Sequence, residues 1–548
     1  MQVDTPEKIR NVAIAGHNDT GKTTLVSALL YAGGVVNRMN RVEDGNTTTD
    51  FDAEEIQRQI SIGLATCYVP WRQHKVNLID CPGYGIFFTE TRAGMRAADS
   101  VLLCVNSVSG IEVITERAWQ SAEELELPVI FHLTKMDRER ADFGRVVQAL
   151  GDKFGREAVP VQIPIGSESA FEGVVDLVHE KAYRFQKDGN GQSQAEELPQ
   201  ELVAETEEWR NRLIEAVAET DDQLMETFFE AGSLSQEQLE TGLRKAVRRR
   251  RLFPITVSAS LHGIGPSVLL DSLVDLVPNP LERPPFPATS AEGEAITVTP
   301  DPDAPFATLV FKTLSDPFSG KISILRVVTG TMPADSPAWN SRLQESGKVG
   351  HLMLLEGKQG TQVPQLVTGD IGGVAKLKQT ATGDTLCAAN GKVGLGFVPI
   401  PEPAMSFAIE PKSKGDEEKI GEALQRLIDE DPTLALSRDP DTHEFLLSGA
   451  GQLHIEITTS KLRNRYHVDV ILHPPKGCYG FLYVAFDADG WMYVGDRSGT
   501  IFRVRDGRPG PGNEAAGGGE EVPYGSANGC QYDEQNDQID HERSPVVG

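Results

Sequence analysis

Cysteine is scarce in this chain, and the little there is forms no pattern. The six cysteines, Cys67, Cys81, Cys104, Cys387, Cys478 and Cys530, include no CxxC pair. That argues against both a zinc site and a disulfide framework. Cys104 lies in an apolar, strand-like run and reads as core. No apolar run reaches the ~18 residues of a membrane helix. The opening residues, MQVDTPEKIR, contain no apolar stretch of the signal-peptide kind. A reducing, cytoplasmic setting without a membrane partner is expected. Positive charge is also in short supply: 52 Lys and Arg face 80 Asp and Glu, a formal net charge of −28. Such a chain is a poor general binder of phosphate backbones, so no DNA partner is expected, although a local basic patch is allowed.

What is present fits a folded protein of several domains. Of 548 residues, 39% are hydrophobic and 24% charged. Short apolar runs alternate with helix-like segments over residues 1–285. Strands are expected at Arg10–Ala15, Lys75–Ile79, Ser100–Val105, Pro128–Thr134 and Phe253–Val257. This βαβ rhythm implies an α/β domain with a mostly parallel sheet covered on both faces. Residues 159–251 are charge-rich and read as an insertion into that domain, in which EELPQELVAETEEWRNRLIEAVAETDDQLMETFFEAG reads as amphipathic helices. The Pro-rich stretch that begins near 278 predicts a linker over 286–303. Residues 304–395 show short strands with Gly turns, the pattern of a β-barrel. Residues 400–476 read βαββαβ, a ferredoxin-like α+β domain. Residues 477–505 give a short β-meander with Asp-Gly and Ser-Gly turns. Residues 506–548, Gly-, Pro- and acid-rich, are expected to be disordered.

The chemistry concentrates at strand ends. Gly16-His17-Asn18-Asp19-Thr20-Gly21-Lys22-Thr23-Thr24 follows the strand NVAIA and opens a helix-like run. In that context G-x-x-x-x-G-K-[ST] is a phosphate-binding loop. Its backbone N–H groups and the helix N-terminus face phosphate oxygens. Lys22 should contact the β and γ phosphates, and Thr23 a Mg²⁺ ion. His17 is expected to shape the loop rather than to catalyse. Asp80 ends the second strand, where such proteins keep a carboxylate for Mg²⁺, and Cys81, Pro82 and Gly83 carry the turn towards the γ-phosphate. In Thr134-Lys135-Met136-Asp137, Asp137 can accept from guanine's N1–H and exocyclic amine, and the Lys135 stem can lie over the base. Adenine would leave that carboxylate unpaired. The small residues Ser258, Ala259 and Ser260 allow backbone N–H groups to approach the guanine O6.

Together these motifs resemble the translational GTPases, and within them elongation factor G. The likeness runs from about Val12 to Lys476 and includes GHNDTGKTTL, DCPGY, TKMD, FKTLSDPFSGKISILRVVTGT, TGDTLC, AIEPKSKGDEEKIGEAL and LSGAGQLHIEI. It implies GTP/GDP and Mg²⁺ as ligands, ribosomal RNA and proteins as partners, and a monomer. The insertion matches that family's extra subdomain. Ser61, in Arg58-Gln59-Ile60-Ser61-Ile62, stands where the family completes the Mg²⁺ shell. Thr134 replaces its usual asparagine. Tyr84 replaces the histidine that orients the attacking water; a tyrosine supplies one hydroxyl and no cation, so slower hydrolysis is expected, with Lys22 and Tyr84 as the catalytic residues. The wording DFDAEEIQRQISI with DCPGY is similar to a divergent subgroup of the family.

The resemblance implies two further domains, a fourth and a fifth, that residues after Lys476 do not match. VAFDADGWMYVGDRSGTIFRV resembles one propeller blade of the gluconolactonase or NHL type. Full translocation is therefore not expected. Three readings stay open: a GTPase acting on the ribosome, a GTP-dependent binding switch with little hydrolysis, and a truncated, inactive fusion product. The basic run LRKAVRRRR (243–251) is read as an exposed helix end, His454 as a packed helix residue, and Glu514–Glu542 as a solvated acidic tail.

Overall fold

The computed structural model describes residues 2–476 apart from 317–319, 378, 413–416 and 441. Beyond Lys476 it describes only the short strands Tyr483–Phe486, Met492–Gly495, Ile501–Arg505, Arg508–Pro509 and Glu520–Glu521. Cys478, Cys530 and nearly all of the expected tail lie outside the described residues.

The first strand, β1 (Ile9–Gly16), is buried at every position, the signature of a strand covered on both faces. It leads into α1 (Lys22–Ala32). The short α2 (Ala53–Arg58) follows, then β2 (Ala65–Trp71), β3 (His74–Asp80), α3 (Phe88–Ala97), β4 (Ser100–Asn106), α4 (Val113–Glu124), β5 (Val129–Thr134), α5 (Phe143–Phe154) and β6 (Ala158–Pro160). The insertion then adds β7 (Gln162–Ile165), β8 (Gly173–Asp176), β9 (Lys181–Arg184), β10 (Ala195–Glu196), α6 (Val203–Ala218), α7 (Asp222–Ala231) and α8 (Gln236–Arg248). The α/β domain resumes with β11 (Phe253–Val257) and α9 (Pro266–Leu276). The main sheet has seven strands in the order β2-β3-β1-β4-β5-β11-β6. All pair in parallel except β2, which runs antiparallel to β3. As an edge strand β2 tolerates Pro70, and that proline hides it from sequence reading. One face of the sheet buries Trp119 against Phe131, Phe154 and Phe253, with ring centroids 4.7–5.6 Å from that indole. The other face packs Leu25 and Leu29 of α1 with Leu269 and Leu273 of α9.

The insertion has helices in the stretch read as helical, α6 and α7, and it also holds a sheet that was not read: β10-β9-β8-β7 pair antiparallel ahead of its three helices. Strands of two to four residues are too short for alternation to show. The expectation of a linker over 286–303 needs correction. Phe286–Ser290 and Ala295–Val298 pair with each other, and the first also pairs with Val393–Leu395. Prolines at 284, 285 and 287 mask a strand that nonetheless buries Phe286. The adjoining β-domain is an eight-stranded antiparallel sheet, in which Ala307–Asp316 and Gly320–Thr329 form the central hairpin.

The following α+β domain holds α10 (Glu417–Glu430) and α11 (Gln452–Tyr466). Its strands lie in the order Ala435–Arg438, Phe445–Gly449, Met405–Pro411, Val470–His473, as a βαββαβ sandwich requires. Tyr483–Phe486, Met492–Gly495 and Ile501–Arg505 pair as an antiparallel meander. The basic run near 243–251 closes α8, and three of its cations are taken up locally: Lys245 by Asp221, Arg248 by Glu282, Arg244 by the Asp275 carbonyl.

A dry polar seam joins the α/β domain to the β-domain. Asp99, fully buried, takes Arg326 Nη2 at 2.5 Å and Asn11 Nδ2 at 2.7 Å. Arg283 Nε stands 3.6 Å from the same carboxylate. Burial lowers the Arg283 pKa to about 10. Nearby, the fully buried Lys75 pairs with Asp370 at 2.6 Å. Removing one partner of a buried pair strands the other's charge. Asp99→Asn should therefore destabilise the protein by about 3–5 kcal/mol, whereas Asp99→Leu with Arg326→Met should cost less. Urea unfolding midpoints check both.

Candidate functional site

The loop after β1 turns only because of its glycines. A Cβ on Gly16 (φ 148°) would lie 2.5 Å from the Cys104 carbonyl oxygen, and Gly21 (φ 81°) caps α1 in the left-handed region. Asp19 shares that conformation, at φ 58°. Thr20 Oγ1 and Lys22 Nζ both donate to the His17 carbonyl, each at 2.8 Å. Lys22 is buried, and burial lowers its pKa. His17 itself is tied outward, accepting the Ile114 N–H at 3.4 Å and facing Glu112 at 3.6 Å. Asn18 and Thr24 are half-buried at the rim.

Four segments converge on this loop. From α1 comes Thr23, whose hydroxyl lies 3.1 Å from that of Ser61. From the end of β3 comes Asp80. Its Oδ2 accepts the Thr49 hydroxyl at 2.7 Å, while its buried Oδ1 has no partner among the described residues. Cys81 is buried, Pro82 accepts the Thr91 hydroxyl at 2.8 Å, and Gly83 leans on the loop. A Cβ at Gly83 would lie 2.5 Å from Lys22 Nζ and 2.8 Å from Asn18 N, so no side chain fits there.

From the end of β5 comes Thr134, which donates to the Thr20 carbonyl at 2.7 Å and so braces the loop in place of the family's asparagine. Lys135 pairs with Asp19 at 2.9 Å, and its stem passes over Gly21. Met136 is buried against Ser107, and its N–H bonds the Ser258 carbonyl. Ser258 and Ala259 donate their N–H groups to Leu133 and Ile264 at 2.9 and 3.0 Å, so neither is free in this structure to meet a base oxygen. The Ser260 hydroxyl bonds that of Ser258 at 3.0 Å.

Sequence reading missed the acidic company of Asp80. Asp50 and Glu55 are buried beside it. Desolvation, reinforced by the neighbouring carboxylates, raises Asp50 to about 7 and Glu55 to about 8; for Asp80, desolvation gives about 6. Glu55 accepts the N–H groups of Asp52, Ile62 and Gly63 at 3.0–3.1 Å, closing the segment that presents Ser61. The acid-rich run DFDAEE was the available signal. Two hydroxyls and an unpartnered carboxylate oxygen are the hard donors that suit Mg²⁺.

Tyr84 packs against the buried residues Ile62, Phe87 and Ile457, which Ile60, Ile86 and Leu453 also flank, and its hydroxyl makes no hydrogen bond among the described residues. The same face of α11 holds α2: Lys461 and Arg465 grip Asp52 at 3.0 and 2.5 Å, and Ser460 and Asn464 donate to Glu54 at 2.6 and 2.9 Å. His454, buried, bonds Asp431 at 2.9 Å.

A carboxyl whose pKa rises on folding binds protons more tightly folded than unfolded. Its stabilisation is full below the unfolded value of 4.5 and is lost as pH climbs through about 8 for Glu55. Nucleotide-free protein should therefore melt at lower temperature at about pH 8 than at about pH 5. Glu55→Gln should flatten that dependence, as thermal melts in chelator would show.

Residues 7–279 match the elongation factor Tu GTP-binding domain family, 305–389 elongation factor G domain 2, and 400–474 elongation factor G domain III. Residues 483–504 match the N-terminal part of strictosidine synthase-like proteins. A solved protein from Thermus thermophilus is 32% identical, with a TM-score of 0.78, over 91% of this chain and 73% of its own. Guanine-nucleotide binding and GTPase activity are the shared property of that GTP-binding domain family. The chain belongs to the translational GTPases of elongation factor G type.

Proposed function

We propose that this chain binds GTP with Mg²⁺ where β1, β3 and β5 end, hydrolyses it, and uses the cycle on the ribosome. What supports the reading is convergence: Lys22 and Thr23 of α1, Ser61 and Asp80 come from three segments to one place, with a buried Asp80 oxygen left unpartnered among the described residues. Lys22 would lie against the β and γ phosphates, with the N–H groups of residues 16–24 around them. Thr23, Ser61 and Asp80 would hold Mg²⁺, with Asp50 beside them. When bound, that ion neutralises the phosphate oxygens as charge develops on them. Gly83 gives backbone access to the γ-phosphate. Asp137 selects guanine, and Lys135 covers the base.

Tyr84 favours a second reading, a GTP-dependent switch with little hydrolysis. Its side chain packs against Ile62, Phe87 and Ile457, and its hydroxyl is unpartnered among the described residues. Positioning and charge stabilisation carry most of phosphoryl transfer. We therefore expect hydrolysis to persist at a reduced rate, stimulated by ribosomes.

Single-turnover GTP hydrolysis with and without ribosomes, alongside nucleotide-dependent co-sedimentation, separates the two readings. Asp80→Asn should slow hydrolysis roughly 100-fold. Tyr84→Phe should slow ribosome-stimulated hydrolysis if the hydroxyl reaches the attacking water, and unchanged turnover would exclude that role. Asp137→Asn should shift preference towards xanthine nucleotides, whereas equal wild-type affinity for ATP and GTP would overturn the guanine assignment.

A further inference from the structure

A histidine that no motif picked out stands beside the base-recognition carboxylate. His262 closes the short turn Ser260–His262 after β11. Its Nε2 faces Asp137 Oδ2 at 3.5 Å, and its Nδ1 bonds Asp188 Oδ1 at 2.7 Å. The Asp188 N–H returns to the His262 carbonyl at 2.9 Å. The imidazole is therefore clamped at both its backbone and its ring by one residue of the insertion.

That residue belongs to a segment pressed onto the site. A Cβ on Gly263 (φ 67°) would lie 2.8 Å from the Gly189 carbonyl oxygen. One on Gly191 (φ 76°) would lie 3.2 Å from Ala32 Cβ and 3.3 Å from Pro266. Ser267 N–H bonds the Gly191 carbonyl at 3.2 Å, and Gln192 Nε2 donates to the Ala32 carbonyl at the end of α1. Residues 188–192 thus leave little room between the insertion and the loop that carries His262.

Asp137 needs such support. The terminal torsion of an aspartate is broad, and a two-point contact with a planar base demands one carboxylate plane. The Asp137 side chain is 11% exposed, and among the described residues His262 Nε2 is its ion-pair neighbour in the protonated imidazole, because Nδ1–H is given to the Asp188 carboxylate. We infer that His262 is a positioning residue for guanine recognition: it fixes the Asp137 carboxylate so that both oxygens meet the base, and Asp188 of the insertion fixes His262. This rests on the GTP-binding reading above.

The test compares GDP with inosine diphosphate, which keeps N1–H but lacks the exocyclic amine. The wild-type full chain should prefer GDP. His262→Ala should shrink that preference roughly fivefold, the scale of one oriented hydrogen bond. Asp188→Asn should move it in the same direction by less. His262→Gln, whose amide reaches the Nε2 position, should restore most of it. A folded His262→Ala protein with an unaltered GDP-to-IDP ratio would overturn the inference. An Asp188→Asn protein identical to wild type, with His262→Ala impaired, would overturn the insertion's part in it. Wild type that fails to bind GDP would instead overturn the GTP-binding reading.

Discussion

Asp50, Glu55 and Asp80 are three carboxylates held out of water with Lys22 as the nearby cation, and the rest of the site is arranged around their mutual repulsion. Desolvation alone pushes such groups towards the protonated form, and each raises the others further. Two features offset this locally. Glu55 gathers three backbone N–H groups, and Asp80 takes the Thr49 hydroxyl. Neither removes the excess negative charge. A site so built favours a hard cation and binds it through oxygens that the fold has already placed. The same strain makes the segment carrying Ser61 conditional, because its closure depends on a buried glutamate that resists ionising.

How much of this was legible in the sequence depended on how local each feature is. The loop from Gly16 to Thr24, the Asp80 turn and the Thr134–Asp137 run are contiguous, and each follows a strand whose apolar residues announce it. Their chemistry is written within a few residues. The company that Asp80 keeps comes from a segment some thirty residues earlier that has no strand or regular helix pattern of its own beyond the six-residue α2. The grip of Lys461 and Arg465 on Asp52 spans more than four hundred residues, and no periodicity encodes it. His262 was invisible for another reason: a histidine after a run of small residues carries no spacing signal until Asp137 and Asp188 are brought to either side. The missed strands have simpler causes. Pro70 and Pro287 sit where strands are ordinarily excluded, and the insertion's strands end before alternation can register.

Tyr84 ties the turn after β3 to the rest of the molecule. Its ring joins an apolar cluster shared by the segment around Ile60 and by α11. Burying an aromatic among isoleucines and a leucine favours a fixed ring over a mobile one. The same helix supplies Ser460, Lys461, Asn464 and Arg465 to α2. One face of α11 therefore holds α2 and packs in the cluster that Ile60 and Tyr84 flank, and its docking and theirs are coupled.

The seam around Asp99 has a mechanical consequence. Lys75, Asp99 and Arg326 are fully or almost fully dehydrated, and sliding the β-domain by one residue would strand at least one ion without a counter-charge. Such a joint resists shear far more than the ties of α11, where Asp52, Lys461 and Arg465 keep some access to water. The nucleotide-binding and β-domains should thus travel as one stiff body. The ties at α11 are the more hydrated of the two.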